Sequence, residues 1–267
     1  MVAASGGEGG ICVETLSLRD TSPLLSYKPA NVEFAENARD SLLYSLVQAP
    51  LTGVTQLVDK SVGSELLSKV QIFAAPKAAE FGTSAWAGQV LGGTVGSAAP
   101  FIAMHRMIGP GAAAKLEATS SYGLGRAALP HIAKSMLVGA AYSAICQPVA
   151  DQDGDFWKAR MANATVGGVT AGMLTFTSIG LKSTGVATLN NDIVAGAISG
   201  VPAGLVSANL HSLMAGKGAA TATENFQSVA TFSLGGAFLG ASNIIHERIA
   251  PTTGIGGVRT VEDMRKL

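Results

Sequence analysis

Between Asn191 and Gly216 a small residue recurs at every fourth position: Gly196, Gly200, Gly204, Ala208, Ser212 and Gly216. On an α-helix an i+4 step overshoots one full turn by about 40°. These positions therefore form one smooth ridge that winds slowly round the axis and offers a close-packing surface to more than one neighbour. A glycine inside a helix costs roughly 0.5–1 kcal/mol relative to alanine, so a run of them needs a compensating gain. Close approach of two backbones supplies it, through added dispersion contact and weak Cα–H···O bonds.

The ridge is not isolated. Five stretches nearly free of charge follow Phe81: Thr83 to Met104, Ala127 to Val149, Ala162 to Leu181, Ile193 to Ala215 and Phe226 to Ile245. Each of the other four has its own ladder: Ser84, Gly88, Gly92, Gly96; Ser135, Gly139, Ser143; Ala164, Gly168, Gly172; and Gly236, Gly240. Aligned on Gly168, Gly200 and Gly236, the last three repeat every 32 to 36 residues. No β pattern of any length competes, so the expected fold is all-α, with amphipathic helices followed by a bundle of five Gly/Ala-rich helices. The expected packing positions are Gly88, Gly92, Gly96, Gly139, Gly168, Gly172, Gly196, Gly200, Gly204, Gly236 and Gly240.

Ahead of the bundle the pattern differs. Residues 1–32 lack apolar periodicity and are expected to form a flexible leader, which does not read as a secretory signal peptide. Residues 33–80 are expected to form an amphipathic helical segment. Phe34, Ala38, Leu42, Leu43, Leu46 and Val47 fall at helical spacing before Pro50; a short helix over Leu51 to Asp59 follows, then a third over Ser64 to Ala75 carrying Leu66, Leu67, Val70 and Phe73. The bundle occupies 81–250, and 251–267 is a C-terminal tail.

The bundle runs are about 20 residues long, the length that crosses a hydrocarbon core of about 30 Å. Charged residues make up 13% of the chain, against about 25% in ordinary soluble domains. Little is left to cover a large wet surface. Pro100 and Pro202 lie inside runs, which membrane helices tolerate better than soluble ones, and Trp86 and the Phe156–Arg160 cluster suit interfacial anchors. Membrane lipid is thus an expected partner, with self-association or a protein partner through residues 33–80 also open. The alternative is a soluble helical module, in a cytoplasmic setting, with an Ala/Gly-packed core. Loop cations leave orientation unassigned: the first and third inter-run loops hold four, the second and fourth three.

No chemistry stands out. Lys plus Arg and Asp plus Glu are 18 each, a balance that argues against nucleic acid. Cys12 and Cys146 have no partner spacing for zinc or a disulfide framework. His105, His211 and His246 each close a run, where an imidazole complements the helix dipole. Asp151, Asp153 and Asp155 start like a calcium loop, but its sixth and twelfth positions would be Phe156 and Ala162 rather than Gly and Glu. We expect no catalytic or metal-ligating residues, no cofactor and no enzymatic activity.

The spacing Gly167, Gly168, Gly172, repeated at Gly235, Gly236, Gly240, resembles the glycine ladders of the mitochondrial inner-membrane protein-translocase channel family, which has four glycine-zipper membrane helices. That family places an Arg and an Asp upstream of the ladder. Here those positions hold Phe156 and Arg160, and Glu224 and Ser228, so the resemblance carries no function across. The expected role is a non-enzymatic helical membrane protein that scaffolds, seals or conducts. Thr165, Thr170, Thr175, Asn209, Gln227 and Asn243 would supply its interhelical bonds or polar lining.

Overall fold

A computed structural model describes residues 28–117, 123–149 and 155–249; the side chains of 109–117, 123–127 and 243–249 fall outside the description. Among the described residues the chain is all-helical, with no strand. Most of the expected leader and all of the expected tail lie outside the described residues.

The first helical stretch begins earlier and runs further than its sequence suggests. Helix α1 (Ala30–Leu43) passes through a π-helical turn (Tyr44–Gln48) into α2 (Ala49–Val62) without a break. Pro50 therefore does not end the helix. Proline lacks an N–H, and its ring crowds the carbonyl four residues back; here it sits in the first turn of α2, just after the wider π-helical turn. What stops α2 is Gly63, in the left-handed region at φ 71°, the conformation glycine adopts at little cost.

The third helix expected over Ser64 to Ala75 does not form, and 64–83 is a non-helical strap. Its apolar spacing suits a helix, but tertiary hydrogen bonds take its amides. The Asp59 carboxylate accepts from Ser64 Oγ at 2.5 Å, Ser68 N at 2.7 Å, Ser68 Oγ at 2.7 Å and Leu67 N at 3.3 Å. Further along, the Gln48 side-chain oxygen accepts from Ile72 N at 2.7 Å and Phe73 N at 3.1 Å, while its NH₂ donates to Val70 O at 3.0 Å.

Five long helices follow: α3 (Ser84–Glu117), α4 (Gly123–Cys146), α5 (Phe156–Ser183), α6 (Asp192–Met214) and α7 (Ala222–Ile249). Side-chain caps set several starts. Asp155 accepts from Trp157 N and Lys158 N at the head of α5, and Asn191 from Ile193 N and Val194 N at the head of α6. Before α7, Thr221 N donates to the Glu224 carboxylate at 2.7 Å, and Glu224 N returns a bond to Thr221 Oγ1 at 3.2 Å, a reciprocal capping box. Because α3 continues past Met104, His105 lies within a helix and does not close one. Gly216 lies beyond α6 at φ 71° and takes no part in a helical ridge.

The helices associate chiefly in pairs: α1 with α3, α4 with α5, α6 with α7, with α5 also against α6 and α2 against α4. The α4–α5 and α6–α7 pairs are antiparallel, since the facing residue number falls as the glycine number rises. The α1–α3 pair is parallel, since Gly88, Gly92 and Gly96 of α3 face Phe34, Ala38 and Leu42 of α1, each pair 54 residues apart in sequence.

What these helices bury is unusual. The buried apolar residues are Ala, Val and Cys, among them Val138, Val166, Ala195 and Ala203, accompanied by Ser41, Thr94, Ser143, Thr170, Ser199 and Ser207. Large side chains lie outside: Phe176 is 61% exposed, Leu129 59% and Phe226 54%. The amphipathic reading of 33–80 needs the same correction. Its buried positions are Ser41, Gln48, Gly53 and Asp59, while Leu46 and Val47 are exposed.

Candidate functional site

A Cβ added to several of the glycines named from the sequence would meet a neighbouring helix, as would one on Gly53 or Gly167. A methyl group built on Gly92 would collide with the backbone of Ala38, and one on Gly88 or Gly96 would meet the carbonyl of Phe34 or Leu42. Gly139 faces the Gly167 carbonyl and Ala171, and a Cβ added to Gly168 would lie 3.1 Å from Met136 O and 3.2 Å from Ala140 Cβ. Gly172 differs, because its nearest neighbour is the flexible Met136 side chain. Between α6 and α7 a Cβ added to any of these glycines would meet backbone: on Gly196 that of Gly236, on Gly200 that of Phe232 and Ser233, on Gly204 that of Val229, whose Cα would lie 2.5 Å away, and on Gly240 that of Asp192.

The polar side chains divide. Thr175 Oγ1 donates to Ser135 Oγ at 2.7 Å, joining α5 to α4. Asn209 organises the α6–α7 turn, donating to Asn225 Oδ1 at 3.0 Å and accepting from Ala220 N at 3.2 Å. Thr165 bonds back to Met161 O of its own helix, and the buried Thr170 hydroxyl has no partner among the described residues. Gln227 lines an open cleft of ≈ 420 Å³ between the end of α6 and the start of α7, with His211, Lys217 and Glu224. The Asn243 side chain lies outside the described residues.

Sequence reasoning missed a side chain that joins three helices. Arg160, read as part of an interfacial cluster, is only 3% exposed. Its guanidinium donates to Ala144 O at 2.9 Å, to Gln147 O, to Gly53 O at 2.8 Å and to Gln56 Oε1 at 3.0 Å, and it stacks 5.0 Å from the Phe156 ring centroid. Ala144 belongs to the last turn of α4, where carbonyls lack helical donors and carry the negative end of the dipole. Gln56 also exchanges two 2.9 Å bonds with the Val149 backbone. One cation thus ties α2, α4 and α5 together. Nothing in the sequence links Arg160 to Gly53, since its partners are mostly carbonyls.

Asp59 is the second buried charge, at 1% exposure. Burial opposes its ionisation, but the donors from Ser64, Ser68 and Leu67 outweigh that and hold the carboxyl well below the usual carboxylate range. Every acceptor position is directed at the strap, which marks a fastening and not a catalytic acid. Among the described residues, no group of three or more His, Cys, Asp or Glu gathers to hold a metal. His131 and His211 are exposed; Cys12, Asp151, Asp153 and the His246 side chain lie outside the described residues.

Among the described residues two helices, Phe156–Ser183 and Asp192–Met214, are long and apolar enough to cross a membrane. Comparison with protein-family models, curated proteins and solved structures finds no match.

Proposed function

We propose that the chain is a non-enzymatic glycine-zipper bundle embedded in a membrane, where it serves as a scaffold, seal or channel-like assembly. One observation carries this reading: burial is inverted relative to a water-soluble protein. Burying a Leu, Phe or Met is worth about 1.5–3 kcal/mol in water, and those residues are normally among the most buried. Here Leu129, Leu137, Phe176, Leu205, Leu234 and Phe238 are exposed, while Ser143, Thr170, Ser199 and Ser207 are inside. Lipid solvates the former. Packing of small residues then replaces the hydrophobic drive between helices, which lipid removes, and Gly88, Gly92, Gly96, Gly139, Gly168, Gly196, Gly200, Gly204, Gly236 and Gly240 supply the close approach.

The test is carbonate extraction of membranes from cells making the full chain. Retention in the pellet is expected. Release as a monodisperse soluble protein rejects the proposal and favours a soluble module whose 33–80 segment binds a partner, for which the exposed Leu66 and Ile72 of the strap would be contact points.

A further inference from the structure

The strap 64–83 runs back along the whole of α1 and α2. Its attachments follow in order: 64–68 to Asp59, 70–73 to Gln48, Lys77 and Ala79 to Gln89, which in turn bonds Asn37, and Ser84 to Glu33. As the strap number rises, the helix number falls from 59 to 33. At 1.5 Å per residue that is a path of roughly 39 Å, longer than the ~30 Å hydrocarbon core.

The strap covers this distance without a helix to satisfy its backbone. Among the described residues, the amides of Lys69, Gln71, Ala74, Ala75 and Ala78 donate to no protein acceptor, and all five residues are exposed. Non-helical backbone at membrane depth is tolerated only where protein buries it or water reaches it. Among the described residues no protein covers these five, which leaves water. Resting on the membrane reading above, we propose that the bundle has two differently solvated sides: the strap side of α1 and α2 forms the wall of a water-filled groove, and lipid contacts the outward faces of α5, α6 and α7. The buried Asp59 and Gln48 fit this division, because both side chains are hydrogen-bonded to the strap.

Single cysteines placed in a Cys12→Ser, Cys146→Ala background and reconstituted in lipid nanodiscs test this directly. Val70→Cys, Ala74→Cys and Ala78→Cys report on the strap; Phe176→Cys, Leu205→Cys and Leu234→Cys report on α5 to α7. All six positions are exposed and outside the hydrogen-bonded fastenings formed by side chains of the strap, and labelling after denaturation normalises each one. A charged, membrane-impermeant maleimide should label strap sites at least about tenfold faster than the α5–α7 sites, since thiols in hydrocarbon are shielded from it. Strap sites as protected as those on α5–α7 would overturn the groove and leave the membrane reading standing. Free labelling of Phe176→Cys, Leu205→Cys and Leu234→Cys at the strap rate would overturn both.

Discussion

Arg160 Nη2 and the Gly53 carbonyl oxygen stand 2.8 Å apart although 107 residues separate them in the chain. The contact requires glycine at 53, because a Cβ there would lie 2.5 Å from Ile145 O. A guanidinium spreads its donors in a planar fork, and here the fork collects carbonyls from α2 and from the end of α4. Replacing Arg160 with Met keeps much of the volume but deletes all four hydrogen bonds from the guanidinium. Hydrogen bonds to a charged group contribute about 1.5–3 kcal/mol each and do not add, so a loss of about 3 kcal/mol is expected from thermal melts. Arg160→Lys should recover less than half of it, because one ammonium cannot reach both sides of the fork. A melt unchanged in Arg160→Met would show the cage to be incidental.

Gly200 and Gly180 make opposite predictions from the same residue type. Gly200 meets the backbone of Phe232 and Ser233, which cannot turn aside, whereas nothing lies within 4 Å of a Cβ on Gly180. Overpacking costs typically 1–3 kcal/mol, so Gly200→Leu should lower the melting midpoint while Val201→Leu, at an exposed position, changes it little. Gly180→Ala should raise stability by up to about 1 kcal/mol. A Gly200→Leu protein as stable as its parent would remove close packing from the account of α6 and α7.

Asp59 gives the strap a dependence on acid. Its carboxyl is held below the usual range in the folded protein, so the stabilisation is complete above the unfolded pKa of about 3.9 and is lost progressively as pH falls from there towards the folded value. Proteolysis of the strap by an acid-active protease should therefore accelerate as pH is lowered below about 4. Asp59→Asn should cleave faster at neutral pH and show a flatter response to acid. A parent and variant with the same profile would contradict the assignment.

Gln48 acts like the edge of a neighbouring strand, presenting one acceptor and one donor to the backbone of 70–73. Gln48→Ala should speed hydrogen exchange at the Ile72 and Phe73 amides. The exchange of α6 amides should be unchanged, since that helix has no contact with the strap fastening. Equal protection of Ile72 and Phe73 in parent and variant would show that another feature holds the strap.

The five long helices were legible because scarcity of charge and four-residue spacing of small residues survive in any one-dimensional reading. For α6 and α7 both partners carry the signal, as Gly196 and Gly236 show. For α3 only one does: Gly88, Gly92 and Gly96 are visible, but their partner offers the backbone of Phe34, Ala38 and Leu42, two of which look like ordinary core residues. The strap was misread for a related reason. Leu66, Leu67, Val70 and Phe73 fit a helical period, and nothing local reveals that Asp59 and Gln48 will capture the amides that a helix would need. Arg160 was illegible because its role depends on carbonyls, which every residue has. The burial of small polar residues under large apolar ones was legible only as composition, because which side of each helix faces inward is fixed by its neighbours.

The parallel pairing of α1 with α3 sets a timetable for synthesis. Each residue of α1 waits for a partner made 54 residues later, which at 5–20 residues per second is roughly 3–10 s. Gly200 meets Ser233, made 33 residues after it, a wait about three-fifths as long. Helix α1 is thus held open longer than α6, its glycine-lined docking site not yet in existence, while α6 and α7 close on one another sooner after they appear. Any factor that receives the chain at that stage would meet α1 and α2 before α3 exists, with Leu46, Val47 and Val54 uncovered, while Asp59 and Gln48 already have their strap partners 5–9 and 22–25 residues behind them.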